Sequence, residues 1–160
     1  MPLSKIDSDS LNSGVPTRAQ LPAGTVLQVV NATYSTQVNN ITNTYADTGL
    51  TASITPTSAT SKILVIVNQA DVAKTTNDTS CRIRLLRGAT VIVQMALYAA
   101  GTGTTATNVV GSVGTSFLDS PATTSSTTYK TTFASSSNNA TATVQFGGSD
   151  STITLMEIAA

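Results

Sequence analysis

Between Asp47 and Val67 the chain passes from a polar Asp-Thr-Gly step, through Ser- and Thr-rich residues, into the run Ile63-Leu-Val-Ile-Val67, with no helical spacing of apolar residues along it. β-Branched residues in succession are stiff at χ1 and suit a pleated strand better than a helix. A run that is apolar on both faces belongs to a strand covered twice, by a second sheet on one side and by a neighbour on the other. Ile63, Val65 and Val67 are therefore expected to meet a second subunit. The Asp47-Thr-Gly49 step predicts a turn between strands at Thr44–Asp47 and Thr51–Thr55.

The same grammar of short β-prone runs and turn residues continues along the chain. Strands are expected at Thr25–Ala32, Lys62–Val72, Ser80–Arg87, Val91–Tyr98, Val109–Asp119, Thr127–Ala134, Thr141–Phe146 and Ser151–Ile158. In Ser80–Arg87, Cys81, Ile83 and Leu85 share one face while Arg82, Arg84 and Leu86 share the other. Arg87-Gly-Ala-Thr90 makes a hairpin turn. Tyr129, Thr131 and Phe133 face inward. Gly147-Gly-Ser-Asp150 turns a closing hairpin, and Ala99–Thr107 is a loop of small residues. Strands without intervening helices imply an all-β fold, an antiparallel β-sandwich of the jelly-roll kind.

Residues 1–22 differ. They hold three prolines and few apolar anchors, Leu3, Ile6, Leu11, Val15 and Leu21, and form an extended N-terminal arm expected to dock on another protein. Extended, such an arm reaches up to roughly 70 Å. The sandwich domain is expected over residues 23–160. A chain of 160 residues suits one such domain.

Eight basic and eight acidic residues cancel, which leaves no electrostatic footprint for nucleic acid or an anionic membrane. Ser, Thr and Asn solvate the surface instead, at over a third of all residues. The one cysteine, Cys81, excludes an internal disulfide, and no run approaches the length of a membrane span. With no charged and apolar leader at the start, secretion by signal peptide is not expected. The sequons at Asn31, Asn40, Asn77 and Asn139 then follow from the abundance of Ser and Thr.

Histidine is absent, so the commonest general base and metal ligand is missing, and no Cys/His zinc site or Ser-His-Asp triad is expected. Asp7 and Asp9 lack the further ligands of a calcium loop. Gly101-Thr-Gly103 loosely matches a dinucleotide fingerprint but no helix is expected after it. A glycosidase pair among Asp47, Asp71, Asp78, Asp119, Asp150 and Glu157 cannot be judged from spacing alone. Arg82, Arg84 and Arg87 form a small basic cluster better suited to a solvated or intersubunit face than to nucleic acid. Tyr34, Tyr45 and Tyr98 are the candidates for a glycan platform in a chain with no tryptophan. No catalytic, cofactor or metal site is expected, and the chain is not expected to be an enzyme.

Four segments, Leu21-Pro-Ala-Gly-Thr-Val-Leu-Gln-Val-Val30, Asp47 to Val67, Ile83-Arg-Leu-Leu-Arg-Gly-Ala-Thr-Val91 and Ser151-Thr-Ile-Thr-Leu-Met-Glu-Ile158, resemble tail-fibre-like and other virion appendage proteins of tailed bacteriophages of the marine or cyanobacterial type. Together they span most of the chain from Leu21 onward. The resemblance implies a jelly-roll knob related in shape to tumour-necrosis-factor-like heads, assembling as a homotrimer around an axis lined by one strand face. It implies a structural virion component, assembled in the host cytoplasm. Its arm would be held by other virion proteins and its loops would face a host receptor. The alternative it leaves open is a capsid decoration or head-fibre protein that stabilises the shell.

Overall fold

A computed structural model describes residues 21–160. The strands in chain order are β1 (Val26–Tyr34), β2 (Val38–Asn40), β3 (Ala46–Ile54), β4 (Lys62–Gln69), β5 (Ala73–Thr75), β6 (Thr79–Arg87), β7 (Thr90–Thr102), β8 (Thr107–Val109), β9 (Val113–Asp119), β10 (Thr127–Ser135), β11 (Ala142–Val144) and β12 (Ser151–Ile158). They form three four-stranded sheets, β1-β12-β4-β9, β3-β10-β6-β7 and β2-β11-β5-β8, and every pairing is antiparallel. The first two are the paired sheets of a jelly-roll sandwich, as the sequence predicts.

One strand order is repeated three times. The chain leaves the first sheet at β1, crosses the small sheet as β2 and joins the second sheet as β3. The paths β4-β5-β6, β7-β8-β9 and β10-β11-β12 do the same in one direction or the other. All four crossings therefore lie at one end, and their middle strands pair into an end sheet that closes it. The opposite end carries the β3–β4 connection, the Gly88-Ala89 hairpin, the β9–β10 connection and both described chain ends.

Alternation of inward apolar and outward polar residues places the core. Leu50, Ala52 and Ile54 on β3, Ile63, Val65 and Val67 on β4, Leu85, Tyr129, Ile153 and Leu155 form one buried cluster. Each large aliphatic buried this way contributes about 1.5–3 kcal/mol. Val72, Cys81, Ile83, Phe133, Ala142 and Val144 form a second cluster toward the end sheet. A polar band separates the two. Thr131 Oγ1 lies 2.5 Å from Thr48 Oγ1 and donates to Gln69 Oε1 at 2.8 Å, while Gln69 Nε2 and the Ala70 amide donate to Ser151 Oγ at 2.9 Å each. Buried hydroxyls and amides cost free energy unless they are paired, so this chain of contacts specifies how the two sheets register.

Three expectations change. The Asp47-Thr-Gly49 step is no turn, because β3 runs through it. Gly49, at φ +88°, forms a bulge where the β10 register jumps from Thr51 to Asp47, and a Cβ there would fall on the Tyr34 ring. The expected closing hairpin does not form either, since β11 pairs with β2 and β5 while β12 pairs with β1 and β4. Much of the expected Ala99–Thr107 loop is strand, because β7 extends to Thr102 and β8 begins at Thr107. The Arg87–Thr90 hairpin and the inward Tyr129, Thr131 and Phe133 are present as expected.

Candidate assembly surface

Strand β4 decides which side of the first sheet is free. Ile63, Val65 and Val67 are 0, 0 and 2% exposed, enclosed by the chain's own second sheet. The expectation that they meet another subunit is corrected by one residue of register: their side chains lie in this chain's core, and the outward face of β4 belongs to Leu64 and Ile66. A strand's period of two makes that choice absolute.

Leu64 is paired with Met156 on one side and Leu118 on the other, and Met156 is paired with Val29. Residues opposite each other across antiparallel strands share a face. The row Val29–Met156–Leu64–Leu118 thus crosses all four strands, a span of roughly 14 Å at ordinary strand spacing. Val26, Ile158 and Ile66 extend it. Val29 and Leu118 are each 55% exposed, and Val26 is 49% exposed. Lys62, which donates to Ser120 Oγ at 2.8 Å, is the only charged residue on the outward positions of these strands. An exposed apolar row of this kind makes the outer face of the first sheet the candidate contact surface.

The chain enters beside this strip. Backbone bonds from Gly24 N to Ala159 O (2.8 Å) and from Ala159 N to Thr25 O (2.9 Å) tie the start of β1 to the end of β12. Leu21 lines a hollow of about 280 Å³ with Leu27, Thr57, Ser58, Ser61 and Ala160. Leu3, Ile6, Leu11 and Val15, the other expected anchors, lie outside the described residues, as do Asp7 and Asp9.

Two buried carboxylates brace this end. Glu157 accepts hydrogen bonds from Gln28 Nε2 (2.6 Å), Thr57 N (2.7 Å) and Thr57 Oγ1 (2.6 Å), which joins β1, β12 and the β3–β4 connection. Burial pushes its carboxyl pKa up, but the hydrogen bonds from Thr57 and Gln28 outweigh this and hold it at about 2. Asp119 accepts both an Arg87 Nη1 contact at 2.8 Å and the Tyr129 hydroxyl at 2.7 Å. Burial, then that hydrogen bond, raise the Tyr129 pKa well above the phenol range. Neither brace is legible in the sequence, since Gln28 and Thr57 lie 129 and 100 residues from Glu157, and Arg87 and Tyr129 reach Asp119 from two other strands.

The remaining candidates separate. Asp47 pairs with Lys130 at 2.8 Å, and Asp71 accepts from Ser149. Arg84 lies 3.6 Å above the Tyr45 ring and donates to Gln94, while Arg87 turns to Asp119, so the basic cluster is dispersed. Cys81 is buried, and burial pushes its thiol up to about 12, which leaves it unreactive at neutral pH. Of the three tyrosines, Tyr34 packs on Gly49 and Tyr45 under Arg84, whereas Tyr98 is 75% exposed. β8 rather than a helix follows Gly103. Among the described residues no group of three His, Cys, Asp or Glu side chains gathers to hold a metal ion, and no helix is long and apolar enough to cross a membrane.

No protein-family model matches the chain, and no curated protein does. Among solved structures, the VP2 subviral particle of infectious bursal disease virus is similar at 10% identity, over 83% of this chain and 37% of that one, with a TM-score of 0.47. A structure of the Gt strain of the same virus is similar at 12% identity, over 84% and 39%, with a TM-score of 0.42. The chain spans well under half the length of either. The jelly-roll assignment rests on this chain's own strand order.

Proposed function

We propose that this protein is a structural component of a tailed-phage virion: a homotrimeric knob without catalytic activity of its own, held to the particle by residues 1–22 and directed at the host surface. The observation that carries the reading is the apolar strip Val29–Met156–Leu64–Leu118 on the outer face of a jelly-roll sheet, beside the end at which the chain enters. A trimer turns that face of each copy toward a common axis and removes it from water. The resemblance of Leu21–Val30, Asp47–Val67, Ile83–Val91 and Ser151–Ile158 to phage appendage proteins supports the virion setting. Near-zero net charge suits a chain whose copies must approach one another.

Quantitative mass spectrometry of purified particles, with labelling electron microscopy, tests this. A small multiple of three copies at the tail is expected. Hundreds of copies over the shell would make the chain a capsid decoration protein, and absence from particles would end the virion reading. Native mass spectrometry of the purified chain is expected to give the mass of three 16.3 kDa chains.

A further inference from the structure

The chain has four tyrosines, three phenylalanines and no tryptophan. Tyr129 and Phe133 are fully buried, and Tyr34, Tyr45, Phe117 and Phe146 are half-buried. Tyr98 alone stands out, 75% exposed, near the far end of β7. That end is the one closed by the end sheet, opposite the end where residues 21–25 join the sandwich.

Tyr98 borders an open hollow of about 420 Å³ lined by Asp78, Thr79, Ser80, Gly101–Gly103 and Ser136. A Cβ at Gly101 would lie 3.2 Å from both Ser80 Cβ and the Tyr98 carbonyl oxygen, so a larger residue there would crowd the hollow's lining. Two non-glycine residues beside it, Asp78 (φ +51°) and Ala100 (φ +57°), are in the left-handed region, which costs each on the order of 1 kcal/mol. Among the described residues no donor is bonded to the Asp78 carboxylate, whereas Thr79 and Ser80 are engaged within the fold.

We infer that this hollow is a binding site for a neutral saccharide, with a pyranose ring stacked on Tyr98 and its hydroxyls donating to Asp78. An exposed phenol ring presents an apolar face that matches the C–H face of a sugar, and a free carboxylate beside it accepts the polar edge. The hollow is wide open to solvent, which fits the weak binding expected of a single sugar ring. Its one charged side chain is negative, which disfavours phosphate, nucleic acid, anionic lipid and acidic sugars. The direction in which this end faces rests on the proposed anchoring at the other end, but the binding does not.

Amide chemical-shift titration of the intact protein with the methyl pyranosides of glucose, mannose and galactose, and with N-acetylglucosamine, tests this. At least one of them is expected to shift the resonances of Tyr98, Gly101 and Gly103 with millimolar affinity. Tyr98→Ala is expected to weaken that affinity about tenfold or more and Tyr98→Phe to keep it, both with unchanged thermal midpoints because the side chain is exposed. Asp78→Asn is expected to weaken it several-fold. No shift with any of the four sugars, or shifts that survive Tyr98→Ala, would overturn the site. Either result is independent of whether the chain is found in particles.

Discussion

The two sheets of the sandwich are built alike and finish differently. Each turns an apolar set inward, yet the outward face of the second sheet ties up much of its polar surface in its own contacts, and its exposed apolar residues, Val91, Leu97 and Tyr98, lie on the edge strand β7. Asp47 meets Lys130, the Ser53 and Thr128 hydroxyls lie 2.8 Å apart, and Arg84 spans Tyr45 and Gln94. The outward face of the first sheet has Val29, Met156, Leu64 and Leu118 in one row, with Lys62 as its only charge. Inward residues make the fold and are interchangeable in kind between the sheets. Outward residues decide what the fold can meet, and the first sheet is the one with an apolar row across all four of its strands.

The sharpest way to break this contrast sets Val65 against its outward neighbours Leu64 and Leu118. Val65→Asp puts a carboxylate into the apolar cluster and is expected to cost at least ~4 kcal/mol, a large share of a domain's stability, so the chain should fail to fold by circular dichroism. Leu64→Asp combined with Leu118→Asp changes only the outer row. It is expected to leave the thermal midpoint of the fold nearly unchanged while native mass spectrometry shows single chains. Trimers from the double variant would remove the strip from the assembly.

Glu157 tests the brace beside that strip. Its folded pKa of about 2 lies below the ordinary 4.5, so it contributes stability that is fully present above the ordinary value and is lost as pH falls toward 2. The wild-type melting temperature should therefore fall across that window. Glu157→Gln should show much less of this fall, whereas Glu157→Ala, which leaves Gln28 and Thr57 donors without an acceptor, should cost ~2–3 kcal/mol at neutral pH. On the other face, Arg84→Ala should change stability by about 1 kcal/mol or less and leave assembly intact. Smallest of all, native Cys81 should resist thiol reagents until the chain is denatured.

Strand identity was legible wherever alternation ran for several residues, as in Cys81-Ile83-Leu85 and Tyr129-Thr131-Phe133. Pairing was not. β11 and β12 are adjacent in the chain with a turn between them, which is the signature of a hairpin, but they lie in different sheets because their partners are remote. The end sheet is not legible as a sheet because three-residue strands such as Val38–Asn40 and Ala73–Thr75 have too little pattern to show a period. Ile63–Val67 reads as a strand apolar on both faces, but nothing in the run itself says which parity faces the core. Tyr98 was legible as a candidate, but its isolation depends on where the six other aromatic residues went.

The repeated strand order also governs when this protein becomes a protein. β12 sits between β1 and β4, pairing Asn31 with Thr154 and Leu64 with Met156. Neither early strand has its native neighbour until most of the described chain has been translated. A growing chain thus holds unpaired β edges throughout synthesis, and closure must search over large loops, which makes folding slow relative to a helical domain of this length. Its abundance of Ser and Thr and its scarcity of long apolar runs then act as protection during the wait, keeping half-made copies apart until each has closed.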